Sequence, residues 1–259
     1  MVDCARTEVG ACKSQNELEL KEDEMKKIVV CVVCALTLLV GSTVFAENKL
    51  SVTVSLKGWY NEWESGDWKC DDPVLMLGPS ISVTGDKWFG AISYLTTTTD
   101  YEFSDVSGPG SGDKMSGDRS DVDVMVGYMF HPRVGGLIGY KYIEGDLDYS
   151  IPGIVEIGVD YSLSGPVLGI TANYPIPNTS FALFGSLIYF YGEWEFENEE
   201  LGIDESEDAD GFTADVGIAY AIFENFSASI GYKYQEFEPK DSDLSDKYSG
   251  FTFSLNYRF

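Results

Sequence analysis

The chain contains a single histidine, His131, in the stretch HPRV, and that scarcity limits its chemistry before any fold is considered. A hydrolase of the nucleophile-and-base kind needs an imidazole, or an equivalent base, within hydrogen-bond reach of a Ser, Thr or Cys. His131 has no local serine partner. Carboxylates are the abundant reactive groups: EWEFENEELGIDESEDAD, 193–210, holds ten of them and no Lys or Arg. Such a run attracts cations, so divalent cations or a basic surface partner fit it, and a solvated loop fits it equally. DADG, 208–211, places Gly at the sixth position of a calcium loop, but Ser206 stands at the first ligand position and Gly217 where a bidentate Glu is required. That match fails, no metal site is assigned, and no catalytic carboxylate pair is set by spacing.

A second constellation comes from an internal repeat. DVMVGYMFHPRVGGLIGYKYIE (123–144) and DVGIAYAIFENFSASIGYKYQE (215–236) align without a gap at an offset of 92 residues, and each covers one hairpin. If each short turn is centred on three residues, Asp123 falls opposite Lys141 and Asp215 opposite Lys233. Facing opposite charges reinforce a strand pair by a few tenths to ~1 kcal/mol. Lys57 and Arg258 share their face. Inside a narrow, partly dehydrated space these groups would neutralise one another as a polar plug; in a wetter space they are ordinary solvated charges.

The elements that must position these residues are bounded by the chain's start. MKKIVVCVVCALTLLVGSTVFA, 25–46, has a basic start, an apolar run and small residues before Glu47, the layout of a cleaved signal peptide. Residues 1–24 read as an over-extended leader: Lys21-Glu22-Asp23 is encodable by AAG-GAG-GAT, which contains a purine-rich ribosome-binding core just ahead of Met25. Residues 47–259 then form one domain. Cys70 is the cysteine left in it, so no internal disulfide and no Cys/His metal centre is expected, and no cofactor. Its 12 Lys and Arg stand against 36 Asp and Glu, which excludes a nucleic-acid surface.

That domain alternates with period two. Leu50, Val52, Val54 and Leu56 alternate with polar residues, as do Val122, Val124, Val126, Tyr128 and Phe130, and again Ala228, Ile230, Tyr232 and Tyr234. Ten strands are expected, at 49–61, 74–84, 88–101, 120–130, 135–145, 160–174, 180–195, 211–222, 226–237 and 248–259. Eight is the alternative count, because 146–174 has room for an irregular excursion and 181–191 is apolar on both faces. Short connections at TGDK, HPRV, PIPNTS and FEN alternate with long acidic ones near 62–73, 102–119, 146–160, 196–210 and 238–247. The last strand, YSGFTFSLNYRF, puts Phe251, Phe253, Leu255, Tyr257 and Phe259 on one face.

Signal peptide, alternating segments, two kinds of connection and a terminal aromatic strand together make the chain similar to the small outer-membrane β-barrel proteins of bacteria. The resemblance implies a closed antiparallel transmembrane barrel in the bacterial outer membrane. It also implies contact with membrane lipid, and Leu255, Tyr257 and Phe259 as the signal read by the barrel-assembly machinery. Ten-strand barrels include the omptin-type proteases, which need a histidine near the outer rim; His131 falls on the short-turn side. The expected role is structural or surface-interactive without catalysis. A small cation-preferring, porin-like channel is the second reading and an outer-membrane hydrolase the third.

Overall fold

The computed structural model describes residues 50–108, 111–151, 155–198, 202–240 and 245–259. The expected leader (1–24) and signal peptide (25–46) lie outside the described residues. Among the described residues the strands are β1 (Ser51–Ser65), β2 (Trp68–Lys69), β3 (Val74–Thr84), β4 (Trp88–Thr97), β5 (Tyr101–Ser104), β6 (Lys114–Gly117), β7 (Ser120–His131), β8 (Val134–Ile151), β9 (Val155–Pro175), β10 (Phe181–Asn198), β11 (Ile203–Ala221), β12 (Phe226–Pro239) and β13 (Asp246–Arg258).

Ten of these close a ring in the order β1, β3, β4, β7, β8, β9, β10, β11, β12, β13, with every pairing antiparallel. The seam runs from Thr53↔Arg258 to Ser65↔Asp246, so the aromatic last strand has a partner on both sides and no free edge. The barrel therefore has the ten strands expected and not eight. β2 folds back on β1, and the β5–β6 hairpin joins the outer end of the wall through β6 and β8.

Side chains on the outer surface obey the alternation read from sequence. Leu56, Val126, Ile138, Leu168, Val216 and Leu255 are about half exposed or more, and together with their neighbours they form an apolar band. A water-facing surface rarely carries such a band; a bilayer requires one. Tyr60, Tyr140, Tyr191 and Tyr232 lie toward its outer edge, where amphipathic rings belong. Within the band the Phe253 ring covers Gly58, where a Cβ would come within 2.1 Å of it.

The strands run on past this band. About 9–11 residues suffice to cross a bilayer as a tilted strand, whereas β9 has 21, β11 has 19 and β8 and β10 have 18 each. The connections expected as loops at 146–160 and 196–210 are thus largely two-stranded ribbon, and Glu193 pairs with Asp208 and Glu195 with Ser206. The reason is a change of phase. Near the short turns apolar side chains point outward and Ser, Thr and Gly inward. Farther out the outward side chains are carboxylates, and the inward ones are Trp63, Tyr161, Trp194 and Phe237, all buried. The outer half is packed like a water-soluble protein, with its core inside.

Candidate functional site

The inward face is the place to look for chemistry, because it gathers buried charge. Arg119 follows β6 and turns into the lumen, where it is fully buried. Its Nε donates to Asp121 Oδ1 at 2.6 Å and its Nη2 to Oδ2 at 2.8 Å, a two-pronged pairing that suits a planar guanidinium. Nη2 also donates to Gln235 Oε1 at 2.9 Å, and Gln235 Nε2 donates to Thr213 Oγ1 at 3.0 Å. The guanidinium carbon stands 3.9 Å from the ring centre of Tyr248 and 5.6 Å from that of Trp59. Buried contacts of this kind contribute about 2 kcal/mol. Beside them the Tyr101 hydroxyl donates to Asn61 Oδ1 at 2.7 Å, and Asn61 Nδ2 donates to the Trp59 carbonyl at 3.3 Å.

The sequence-derived charges lie below this layer and beside it. Asp123 and Lys141 are register partners, and Lys141 Nζ is 2.5 Å from Asp123 Oδ1 and 3.9 Å from Asp121 Oδ2. Asp215 and Lys233 are also register partners, but among the described residues no ion pair joins them; Lys233 Nζ sits 4.0 Å from the Trp59 ring centre instead. Lys57 lies within electrostatic reach of Asp123 and Asp215. Arg258, expected among the lumen charges, is a correction: it is exposed, and its Nη2 donates to the Glu224 carbonyl at 2.8 Å. Its position at the end of β13 puts it at the short-turn rim, too far along the strand to meet the others.

Above the charged layer the rings close in. Trp63 lies edge-on to Tyr101 and Phe103, with centroids 5.4 and 5.2 Å away, and stacks on Tyr248 at 5.4 Å. Trp63's backbone N–H donates to the Sγ of Cys70, a buried free thiol. The lumen at this level holds packed rings, with the buried charge cluster beneath them.

The outer end is acidic. Asp160 on β9 faces Asp146 on β8 and Glu197 on β10, three carboxylates abreast on residues that face outward, the Asp146 carboxyl itself being the more enclosed by its neighbours. Partial burial, together with Asp118 and Asp160 nearby, pushes the Asp146 carboxyl up to about 7. Three outer lysines are already held: Lys69 by Glu62 and Glu64, Lys240 by Asp208 and Lys247 by Glu236. Asp113 accepts hydrogen bonds from Ser107, Ser111 and Tyr149, which hold its carboxyl well below the usual range. Among the described residues no group of three His, Cys, Asp or Glu side chains is placed to hold a metal ion.

At the other end His131 is exposed in its short turn, its Nδ1 accepting the Arg133 N–H at 3.2 Å. Leu255, Tyr257 and Phe259 point outward there, and the Phe259 N–H donates to the Val52 carbonyl at 2.8 Å. The sequence reading missed Arg119, Gln235 and the two tryptophans. A signal for them existed: Trp59 and Trp63 continue the parity of Lys57, and Arg119 lies two residues before Asp121.

A closed antiparallel wall, greasy outside and packed within, defines an integral membrane β-barrel. A family model of the outer membrane protein beta-barrel domain matches residues 32–259, and the chain belongs to that family. Its place is the bacterial outer membrane. Among solved structures it is similar to the outer membrane protease OmpT from Escherichia coli, at 14% identity over 82% of this chain and 97% of that one, with a TM-score of 0.54. It is also similar to Ail of Yersinia pestis, solved with a heparin analogue, at 15% identity over 81% and 99% of the two chains, with a TM-score of 0.39. The translocator domain of the autotransporter NalP from Neisseria meningitidis matches at 12% identity over 94% and 98%, with a TM-score of 0.44. The likeness to the protease structure, at 14% identity, extends to the fold and not to the chemistry. Comparison with curated protein sequences gives no significant match.

Proposed function

We propose that this protein is a non-conducting outer-membrane barrel whose work is done at its acidic outer end, by surface interaction and without catalysis. The observation that carries this reading is the packing of the lumen: Arg119, Trp59, Tyr101 and Asp121 all turn inward and are essentially inaccessible to solvent, which supports a barrel closed to solutes. Catalysis has no support in the placement of His131, which sits at the opposite end from the carboxylate-rich rim. The outer ends of β8 to β11 present carboxylates on paired strands, a surface suited to divalent cations or a basic partner. Leu255, Tyr257 and Phe259, outward on the final strand, serve in this reading as the contact for the barrel-assembly machinery.

Conductance decides between this reading and a cation-preferring channel. Refolded protein in a planar bilayer is expected to give no steady openings at moderate voltage. Frequent, stable, cation-selective steps would establish a pore and remove the proposal.

A further inference from the structure

The outer end also contains an apolar crevice of about 440 Å³ that the acidic rim does not explain. It is lined by Trp68, Val106, Met115, Leu147, Val159 and Phe196, with Ser107 and Tyr149 as a polar edge. Its size lies within the range of small-ligand and side-chain pockets. The crevice is blind: Leu147, Tyr149 and Phe196 pack against the buried cluster that contains Trp63, Tyr101 and Phe103, so what enters cannot pass on through the barrel. The edge is braced, because the Tyr149 hydroxyl donates to Asp113 Oδ2 at 2.6 Å and the Ser107 N–H donates to the same oxygen at 3.0 Å. Trp68 is 41% exposed, a large ring left in water beside the opening.

Charge identifies the occupant. Asp146, Asp148, Asp160 and Glu197 stand on the outward faces of the strands that supply Leu147, Val159 and Phe196. Asp71, which accepts a bond from Ser104, and Asp105, which accepts one from the Gly112 N–H, are close in sequence to Trp68 and Val106 and are exposed. A neutral hydrophobe would gain nothing from such a rim; a cationic chain would be drawn to it, then anchored by one apolar side chain.

We propose that this crevice is the seat for an apolar or aromatic side chain of a cationic peptide segment, which the carboxylates on the outward faces of the same strands draw to the outer end. The proposal rests on the closed-lumen, surface-interaction reading and names the class of partner. Binding has two separable parts, a salt-sensitive one from the rim and a salt-insensitive one from the crevice.

The test uses fluorescein-labelled, amidated Lys-Lys-Phe-Lys-Lys and the folded protein in detergent, followed by anisotropy. The Phe peptide should bind, and replacing its Phe by Ser should weaken binding about tenfold. Trp68→Ala and Phe196→Ala should each bring the Phe peptide down to the level of the Ser peptide. Retained heat-modifiable mobility on gels confirms that each variant is folded; if Phe196→Ala does not fold, the exposed Trp68 carries the test alone. Raising salt should weaken both peptides by a similar factor and leave their ratio unchanged. The proposal is overturned if neither peptide binds, if both bind equally, or if the folded variants bind as the parent does. It is also overturned if uncharged N-phenyl-1-naphthylamine fills the crevice and is not displaced by the Phe peptide. A bilayer trace on the same preparation keeps the two readings apart. Silence without peptide binding removes only this inference, whereas steady conductance removes the closed-lumen reading itself.

Discussion

Arg119 is a cation that water does not reach, and its environment decides what its loss would do. Asp121 is its two-pronged partner, and Lys141 approaches that carboxylate no closer than 3.9 Å. Arg119→Met should therefore leave a buried carboxylate poorly compensated and lower stability by about 3–5 kcal/mol. Arg119→Met combined with Asp121→Leu should cost clearly less than the two single changes added together. Urea unfolding in detergent micelles measures both; additivity would show that the pair is not coupled. Asp146 gives a pH-dependent counterpart outside the membrane. Its carboxyl rises from 3.8 to about 7 through partial burial and the nearby Asp118 and Asp160. The folded state thus binds the proton more tightly than the unfolded one, and the stability this contributes is complete below about pH 4. It is lost as pH climbs from there toward 7 and is level above. Corrected hydrogen-exchange rates at the amides of Asp118 and Asp146, which join the β6–β7 connection to β8, should follow that course. Asp146→Asn should flatten it.

At the scale of elements, the ribbon formed by the outer ends of β8, β9 and β10 holds together despite the like charges it carries. Asp160 sits between Asp146 and Glu197 in register, and like charges directly opposite destabilise a strand pair. Asp160→Lys should place one cation between two carboxylates and stabilise the ribbon by a few tenths to ~1 kcal/mol. Slower amide exchange along β9 beyond Ser162 would register it; unchanged exchange would mean that these carboxylates are already screened by solvent. The same ribbon shows where the sequence stopped being readable. Val122 to Phe130 and Ala228 to Tyr234 announce their strands, since apolar side chains on alternate positions need a lipid or a core to face. In β10 the outward series is Leu183, Leu187, Tyr189 and Tyr191, and the inward one Ile188, Phe190, Trp194 and Phe196. Where the two overlap the segment looks apolar on both faces, and beyond it the outward positions become Glu193, Glu195 and Glu197. A reader following the outward residues sees the strand end there. The backbone in fact continues unchanged while the apolar environment passes from outside the wall to inside it. The Asp123–Lys141 pairing was legible because a short turn fixes register. For Arg119 the spacing to Asp121 was on the page, but its contacts with Gln235 and Tyr248 were not, because those residues lie on strands far away in sequence.

Over the whole molecule charge is divided by end. The short-turn side mixes Asp86 and Glu224 with Lys87, Arg133 and Arg258, while the outer ribbons carry a large carboxylate excess. A barrel with that asymmetry would draw cations to its outer mouth whether or not they could pass. On the proposed reading the packed rings of the lumen, and not the charge, decide whether the protein conducts. Trp59 and Tyr248 are the rings against which Arg119 lies, and Lys233 rests on the first of them. Trp59→Ala together with Tyr248→Ala removes both surfaces at one level of the lumen and should allow water and small ions into it. The expected result in planar bilayers is a small, flickering conductance absent from the parent. It should prefer cations, because any ion must first cross the acidic outer mouth. Trp88→Ala is the matched control. Its ring is 62% exposed and packs on Tyr128 of the outer surface, 4.7 Å between centroids, so its removal should leave the barrel silent. A folded double variant that stayed silent would move the seal outward to the Trp63, Tyr101 and Phe103 layer. An anion-preferring conductance would show instead that Lys57, Lys141 and Lys233 govern passage more strongly than the rim does.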